Sequence, residues 1–248
     1  MSWTSGQKYL AEFLGTFGLL ASVGGAAIFS GLDGESGAAR VVLIAASLGF
    51  GVLGMAYAFG DTSGGHFNPA ITIGFWASGR LPAREVVPYI LAQVAGGITA
   101  TGIILAIAYG GPSGSLSFVQ NVALASQGYA GNGAPYLYSA TAVFLLEVLI
   151  TFFLVVVALF VTRSENSSKN VAAIAITMTL FMTNLVAIPV DGASVNPARS
   201  FAPAVLSALW PSGQWAIKED WIFWVAPIVG GLIAAFVERA LRPHAHSG

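Results

Sequence analysis

The tripeptide Asn-Pro-Ala occurs twice in this chain, within SGGHFNPA (63–70) and within ASVNPARS (193–200). Asparagine is a favoured N-cap, and proline is favoured at the first helical position because its missing N–H has no partner there anyway. Each copy therefore predicts the start of a helix, with Asn68 or Asn196 at its N-terminus. Such a carboxamide can donate a hydrogen bond to a neutral molecule, while the positive end of the helix dipole disfavours cations.

Arg199 falls in the first turn of the second of these helices. A cation opposes the dipole at that end of a helix, and it is costly in a chain as apolar as this one. We therefore interpret Arg199 as a filter residue that repels cations and hydrogen-bonds a passing molecule. The alternative is a structural ion pair with Asp191 or Glu147.

Several other residues have types that could do chemistry. Glu12 and Glu147 lie within apolar runs, where an ionisable group is a functional hypothesis by default and a proton relay is one option. His66 is a lone histidine beside the first predicted helix start, and such a residue is more often packed and hydrogen-bonded than a metal ligand. No metal site and no cofactor are predicted. Ser63 and Ser194 have no histidine and carboxylate beside them in any motif, so an enzyme is not expected.

The composition places these residues in a membrane. Of 248 residues, 56% are hydrophobic and 8% are charged, whereas soluble domains carry about 25% charge. The net charge of −1 gives no basic face for nucleic acid. A spanning helix needs about 20 apolar residues, and the charge-free stretches predict a single transmembrane domain (1–248) with six spans, at roughly 8–30, 40–60, 86–109, 138–162, 171–189 and 220–241.

The distribution of Lys and Arg predicts the orientation. An even number of spans puts both termini on one side, and that side holds most of the basic residues: Lys8, Arg80, Arg84, Arg163, Lys169, Arg239 and Arg242. The other side holds only Arg40, Arg199 and Lys218. Because basic loops stay in the cytoplasm, we expect a multi-pass protein of the cell (inner) membrane with both termini cytoplasmic. The loop at roughly 110–137, rich in Gly, Pro, Ser and Asn and free of charges, is expected to lie outside the cell, where it would cover the outer mouth.

The two halves of the chain resemble each other. Ala11–Phe17 matches Leu146–Phe152, and Tyr89–Gly97 matches Phe223–Gly231. The repeats, at about 8–110 and 138–241, each contain three spans with an Asn-Pro-Ala copy between the second and the third. Because three is odd, the second repeat enters from the opposite side, and the repeat is inverted.

The helices that start at the two Asn-Pro-Ala copies are too short to cross the bilayer. The first is predicted from Pro69 to about Gly79 and the second from Pro197 to about Ala208. At about 1.5 Å per residue, each covers roughly half of a 30 Å hydrocarbon core. Entering from opposite faces, the two half-helices would meet N-terminus to N-terminus at the midplane. Irregular backbone is tolerated there only where it lines a cavity or is buried in protein.

These motifs resemble the aquaporin or major intrinsic protein family over nearly the whole chain. The resemblance rests on SGGHFNPA, ASVNPARS, the two glutamates and YILAQVAGG. It implies an all-α membrane protein with six helices and two half-helices around one pore per subunit, in a homotetramer. It also implies that Asn68 and Asn196 face the lumen at the midplane and that Glu12 and Glu147 accept hydrogen bonds from the membrane-dipping loops. The carbonyl groups implied to line the path belong to Gly64, Gly65, His66, Ala193, Ser194 and Val195.

The selectivity filter departs from the pattern of the family. Spacing from the two motifs places Leu48, Asn184, Ala193 and Arg199 at the filter positions, where water-selective members typically have Phe, His, a small residue and Arg. Leu and Asn are smaller than Phe and His, so a wider constriction is expected. The resemblance therefore implies a passive channel that conducts water through a narrow pore and excludes protons and ions. The alternative is a wide-filter channel that also or mainly conducts ammonia, glycerol, urea or boric acid.

Two further classes of protein share parts of this pattern. Coupled transporters also have inverted repeats and broken helices, but coupling needs groups that bind ions or change protonation. A structural junction protein of the same fold would show no measurable permeability. The partners expected from the passive-channel interpretation are water and small neutral solutes, the lipid bilayer and further copies of the chain.

Overall fold

The computed structural model describes residues 3–34, 36–163 and 169–242. These residues form nine α-helices, of which six are long and apolar enough to cross a membrane. In chain order the helices are α1 (Ser5–Leu32), α2 (Gly37–Ser63), α3 (Pro69–Ala77), α4 (Ala83–Tyr109), α5 (Ser115–Asn121), α6 (Ala140–Val161), α7 (Lys169–Asp191), α8 (Pro197–Ser207) and α9 (Gln214–Ala240). The predicted all-α fold with six spans and two half-helices, α3 and α8, is confirmed.

The order of long and short helices is the same in the two halves of the chain. Helix α1 packs on α2 and α4, and α6 packs on α7 and α9. Contacts between α2 and α7 join the halves, and the half-helix α3 packs on α9 of the other half. The core that results lies between the two halves, and both half-helices are held inside it.

Several helix boundaries lie a few residues from those expected, and two of these differences are the end of α3 and the start of α9. The half-helix α3 ends at Ala77 rather than near Gly79, because Gly79 adopts a left-handed φ of 81° that reverses the chain. The last span begins earlier than predicted, at Gln214. Both differences lie at helix ends, where capping geometry rather than hydropathy decides the limit.

The loop at 110–137, or outer loop, folds into short helical segments. It contains α5 and a 3₁₀ turn at Ala123–Ala125. Apolar side chains of this segment, including Val119 and Leu124, are buried against the C-terminal ends of α1 and α4. Glu219 of α9 also accepts hydrogen bonds from the Tyr129 N–H at 2.9 Å and the Asn132 carboxamide at 3.2 Å. The apolar side chains that lie among the Gly and Ser residues of this loop therefore fold it onto the long helices.

Matched glycines allow the closest helix crossings. A Cβ at Gly96 of α4 would overlap the Phe13 carbonyl of α1, and one at Gly230 of α9 would lie 2.5 Å from the Val148 carbonyl of α6. Backbone cannot move away as a flexible side chain can. The two crossings therefore require glycine, as small residues at membrane helix contacts generally allow close approach.

We expect Gly96→Ala to destabilise the protein by about 3 kcal/mol or more, since overpacking against rigid backbone is costly. Gly102, on the same helix, is a matched control because a Cβ there meets nothing within 4 Å. Gly102→Ala should leave stability unchanged or raise it by about 0.5–1 kcal/mol. Thermal unfolding of the two purified variants in the same detergent tests the difference, and equal midpoints would contradict it.

Basic side chains are concentrated at one end of the molecule, where they bind a carboxylate and a backbone carbonyl. Arg163 donates to Glu238 at 3.2 Å, and Arg242 binds the same carboxylate at 2.8 Å. Arg239 lies 3.4 Å from the Ala77 carbonyl at the C-terminus of α3. The tail after Arg242 and the loop at 164–168 lie outside the described residues.

Candidate functional site

The N-termini of the two half-helices meet inside the molecule. Each asparagine accepts a hydrogen bond from a first-turn N–H of its own helix, at 2.8 Å for Asn68 and 3.0 Å for Asn196. The Nδ2 of Asn68 donates to the Val195 carbonyl at 2.8 Å, and the Nδ2 of Asn196 donates to the Phe67 carbonyl at 2.9 Å. Each carboxamide thus caps one half-helix and ties it to the loop that precedes the other.

The loops that precede the half-helices have an unusual backbone. Phe67 and Val195, at corresponding positions, have φ values of 49° and 57°, and Ala193 has 55°. Positive φ is uncommon for residues with a side chain and an outlier for a β-branched one such as Val195. Such conformations persist only where surrounding contacts impose them, and they concentrate at functional sites.

Two buried glutamates impose these conformations. Glu12 accepts hydrogen bonds from the N–H groups of His66 and Phe67, at 2.9 and 2.7 Å. It also accepts from the Ser63 hydroxyl at 2.6 Å and the Gln93 carboxamide at 2.7 Å. All four donors belong to buried or partly buried groups, so the carboxylate joins the first dipping loop to α1 and α4.

Glu147 holds the second loop with fewer partners. It accepts from the N–H groups of Ser194 and Val195, both at 2.8 Å. Its side chain receives no donor equivalent to Ser63 or Gln93 among the hydrogen bonds of the described residues. The inverted repeat is therefore symmetric in its backbone and asymmetric in its side-chain support.

A narrow cavity of about 30 Å³ lies where the half-helices meet. Asn68 and Asn196 line it, and Leu48 and Arg199 lie among its other walls. A water needs about 10–15 Å³ on this measure, so the cavity has room for about two waters in file. Its walls are mostly apolar, with a few polar groups placed among them.

A wider vestibule of about 300 Å³ adjoins the narrow cavity. Val52, Gly65 and Ile176 line both spaces. Arg80 lines the vestibule and hydrogen-bonds the Thr162 carbonyl at 2.7 Å, which places the vestibule at the end of the molecule where α6 ends. The two spaces share wall residues and together extend from this end of the molecule to the half-helix N-termini and Arg199.

The guanidinium of Arg199 is held by backbone carbonyls rather than by a carboxylate. It lies 3.4 Å from the carbonyl of Ala125 in the outer loop and 3.4 Å from that of Gly192. In the described part of the chain, no carboxylate oxygen lies within 4.0 Å of its nitrogens. The side chain is buried and its Nε has no partner, so the predicted alternative of an ion pair with Asp191 or Glu147 finds no direct contact.

The family to which the chain belongs is shown by a match along nearly its whole sequence. The sequence model of the family described as Major intrinsic protein matches residues 1–238. The chain belongs to the major intrinsic protein family. As a member it is a membrane channel protein rather than an enzyme.

Individual relatives are similar over nearly their full length. Aquaporin Z of Rhodopseudomonas palustris is 41% identical over 239 residues, which cover 95% of this chain and 93% of the relative. Aquaporin Z of Photorhabdus laumondii is 39% identical over 241 residues, with 95% and 97% covered. The X-ray structure of the aquaglyceroporin from Plasmodium falciparum superposes with a TM-score of 0.82 over 96% of this chain and 97% of that one, at 21% identity. That likeness shows a shared fold.

Of the four predicted filter residues of this major intrinsic protein, two line the narrow cavity and two do not. Leu48 and Arg199 line the narrow cavity together, while Asn184 and Ala193 are fully buried just outside that lining. Ile176 and Leu180 of α7 do line it, and Asn184 continues the same helix face one turn further. The Asn184 Nδ2 donates to the Leu180 carbonyl at 2.9 Å, which leaves Oδ1 as a buried acceptor without a partner.

The predicted pore carbonyls belong to residues of both dipping loops. Gly65, His66 and Ser194 line the narrow cavity, and Gly64 lines the vestibule. The Val195 carbonyl accepts the hydrogen bond from Asn68 and so braces the other half-helix, while its second lone pair stays available to the path. The His66 ring packs against Phe75 and Tyr89, with Nδ1 3.2 Å from the Thr72 hydroxyl.

Sequence reasoning did not single out Gln93 or the Phe67 carbonyl. Gln93 lies in the quoted stretch YILAQVAGG, where a polar residue within an apolar span was a signal for a buried hydrogen bond. No signal pointed to the Phe67 carbonyl, because backbone groups carry no residue-type information. No cluster of three or more potential metal-ligating side chains occurs in the described ranges.

Proposed function

We propose that the whole chain, 1–248, is one channel domain that conducts water passively across the membrane and excludes protons and ions. The observation that carries this proposal is the reciprocal pair of hydrogen bonds from Asn68 to the Val195 carbonyl and from Asn196 to the Phe67 carbonyl. That pair fixes two electropositive helix ends on one narrow cavity. Aquaporin Z, the name of the relatives at 39–41% identity, agrees with this proposal.

The asparagine groups that bind a passing water already donate one hydrogen bond each within the protein. A carboxamide nitrogen has two hydrogens, so each asparagine that donates one to a carbonyl keeps another for the cavity. Carbonyls of Gly65, His66 and Ser194 supply acceptors along the same path. A water that crosses therefore exchanges its hydrogen bonds step by step, while the apolar walls, such as Leu48 and Leu180, hold the file narrow.

Exclusion of charge follows from the same geometry. Two half-helix N-termini each carry about half a positive charge, and Arg199 adds a full charge at the outer side of the cavity. With no carboxylate in contact with the guanidinium among the described residues, a cation or hydronium meets repulsion along the narrow path. A neutral molecule does not.

A wider solute range is the second candidate function, and the composition of the filter favours it. Leu48, Asn184 and Ala193 leave Arg199 as the bulkiest of the four proposed filter groups. The unpartnered Oδ1 of Asn184 supplies an acceptor, which suits solutes that donate hydrogen bonds. We therefore propose ammonia, glycerol, urea and boric acid as the solutes to be tested beside water.

Stopped-flow swelling and shrinking of reconstituted vesicles tests both functions side by side. The channel proposal requires water permeability well above that of empty vesicles, linear in the solute gradient and indifferent to an imposed pH gradient. Saturation, or acceleration by a proton gradient, would instead support a coupled transporter. Glycerol and urea rates equal to those of empty vesicles would restrict the protein to water and smaller solutes.

We expect the double substitution Leu48→Phe with Asn184→His to narrow the solute range. Larger side chains at both positions reduce the aperture, so glycerol and urea permeability should fall about tenfold while water permeability falls less than threefold. Leu43→Phe, on an exposed face of the same helix, is the matched control and should change neither. An unchanged ratio of glycerol to water permeability in the double variant would remove these residues from the filter.

We also propose the cell (inner) membrane as the location, with both termini cytoplasmic and the vestibule at the cytoplasmic end. The basic end built by Arg163, Arg239 and Arg242 supports this orientation. Large apolar side chains, among them Phe50 and Phe236, are exposed on the outer faces of the long helices. Such faces suit contact with lipid and with the other subunits of a homotetramer, the assembly typical of the family.

A further inference from the structure

Ser63 and Asp191 occupy corresponding positions in the two repeats. Each is the last residue of a long helix, α2 or α7, and lies five positions before the asparagine of its dipping loop. Each also accepts a hydrogen bond from the N–H two residues further on. The Gly65 N–H donates to the Ser63 hydroxyl at 3.1 Å, and the Ala193 N–H donates to the Asp191 Oδ1 at 2.8 Å. The second repeat therefore has a carboxyl group where the first has a hydroxyl.

The hydroxyl of Ser63 has a second bond, to the buried glutamate of its own repeat. It donates to the Glu12 Oε1 at 2.6 Å. An ionised aspartate has no hydrogen to donate, so Asp191 can make the corresponding bond to Glu147 only if it carries a proton. The two carboxyl groups are close enough to interact electrostatically. By the symmetry of the repeat, Asp191 lies beside Glu147 as Ser63 lies beside Glu12.

One oxygen of Asp191 has no use as a simple acceptor. Its Oδ2 is buried without a hydrogen-bond partner, and the whole residue is 0% exposed. Both oxygens of Glu147, in contrast, accept backbone N–H groups, from Ser194 and Val195. Neighbouring buried carboxyl groups do not both ionise readily, because each raises the cost of a charge on the other. The oxygen that can take a shared proton is the one to which no group donates, the Asp191 Oδ2.

Two further groups interact with Asp191 from other elements, Arg199 of α8 and Tyr136 of the outer loop. Arg199 favours a negative charge nearby, but in the described part of the chain no carboxylate oxygen lies within 4.0 Å of its nitrogens. Tyr136 donates its hydroxyl hydrogen to the Ser126 carbonyl at 2.7 Å, so it is neutral. One positive charge thus lies near two carboxyl groups, which suits one negative charge and one proton.

We propose that Asp191 is a positioning residue that carries a proton and donates it in a hydrogen bond from its Oδ2 to Glu147. The carboxyl pair then holds one proton and one negative charge, in place of the hydroxyl and carboxylate of the first repeat. Glu147 gains a donor beside its two backbone donors, still fewer than the four of Glu12. The bond joins the end of α7 to α6 and to the dipping loop that precedes Arg199.

The proton also preserves the positive charge at the filter. If both carboxyl groups were ionised, two negative charges near Arg199 would outweigh its single positive charge. Loss of the proton at alkaline pH should therefore raise the potassium leak of proteoliposomes, and Asp191→Asn, which has no such proton to lose, should show no rise. An equal rise in both proteins would contradict this consequence. The leak rests on the proposed channel function, whereas the shared proton does not.

Thermal unfolding in detergent at several pH values tests the proton. In the unfolded chain the two carboxyl groups titrate separately and are ionised above about pH 5, so the native state binds one more proton. Each pH unit above that point should cost about tenfold in the ratio of folded to unfolded protein, until the proton leaves. The carboxamide of Asp191→Asn can donate to Glu147 and accept from Ala193 without titrating. The native midpoint should therefore fall relative to that variant between about pH 6 and about pH 8.

Two further variants and a spectrum complete the test. Asp191→Leu loses both bonds, and its midpoint should lie below that of Asp191→Asn at every pH. Asp33→Asn, at an exposed aspartate that ends α1, is the matched control and should follow the native protein. The infrared difference between the native protein and Asp191→Asn at neutral pH should contain the carbonyl band of a protonated carboxyl group. The difference between the native protein and Asp33→Asn should not.

The proposal is wrong if the midpoints of the native protein and Asp191→Asn change in parallel with pH, or if the infrared difference lacks that band. It is also wrong if Asp191→Asn fails to fold or is no more stable than Asp191→Leu, since the carboxamide keeps both hydrogen bonds. A native protein that adds no water permeability to empty vesicles would contradict only the channel function, because the unfolding and infrared measurements decide the proton independently.

Discussion

Glu12→Leu should leave almost no folded protein in the membrane, whereas Glu147→Leu should leave a weakened but detectable fraction. The reason is the number of buried donors that lose their acceptor. Glu12 receives four, from His66, Phe67, Ser63 and Gln93, and Glu147 receives two. Each donor left unsatisfied costs about 1–3 kcal/mol, and the backbone with positive φ that the carboxylate holds adds its own strain.

Thermal unfolding in detergent and the yield of solubilised protein measure this difference. Glu12→Gln and Glu147→Gln serve as conservative controls, since each keeps one acceptor oxygen and should lie between the native protein and the Leu variant. The test depends on which of the two Leu substitutions destabilises the protein more, and not on the size of either loss of stability. Equal destabilisation by the two Leu substitutions, or a larger loss at Glu147, would show that the side-chain donors Ser63 and Gln93 contribute little.

Arg199→Ala should open the channel to protons and small cations by at least tenfold. A unit charge at about 4 Å raises the energy of a passing cation by about 4 kcal/mol at an effective dielectric constant of about 20, and tenfold in rate needs only about 1.4 kcal/mol. No carboxylate contacts the guanidinium within the described ranges, and Glu147 and Asp191, which interact with it from a greater distance, offset its charge only in part. The shorter side chain also enlarges the aperture, so glycerol permeability should rise.

Proton flux into vesicles with a trapped pH-sensitive dye, driven by a fixed potassium diffusion potential, measures the leak. Arg239→Ala is the matched control, since it removes one exposed arginine at the opposite end of the protein. The leak of that variant should equal the native one. A native-like proton leak in Arg199→Ala, with water flow retained, would assign charge exclusion to the half-helix N-termini alone.

Much of the architecture could be read from the sequence because it depends on short-range rules. Asn68 and Asn196 predict helix starts because asparagine is a favoured N-cap, and Pro69 and Pro197 strengthen that prediction. Hydropathy predicts the six spans, since a run of about 20 apolar residues is typical of a membrane-spanning helix. The odd number of spans between the two motifs then requires the inverted repeat, and the resemblance to the family supplied the roles of Glu12 and Glu147.

The sequence left open the points that packing decides. It predicted only a loop at 110–137, and the structure shows that Val119 and Leu124 of this loop pack on apolar partners at the ends of α1 and α4. It gave no sign that the Val195 carbonyl accepts a hydrogen bond from Asn68. Backbone carbonyls have no identity in a sequence, so their partners cannot be inferred from residue types.

The sequence by itself determined the spans, the two short helices and the presence of one arginine at the N-terminus of the second. Only the tertiary structure decided what surrounds that arginine. Ala125 lies 74 positions from Arg199, and no local propensity relates them. Their contact depends on how the outer loop packs onto α1, α4 and the loop before α8. The partners of Arg199 follow from that packing because hydrogen bonds between distant segments are fixed only when the whole core has closed.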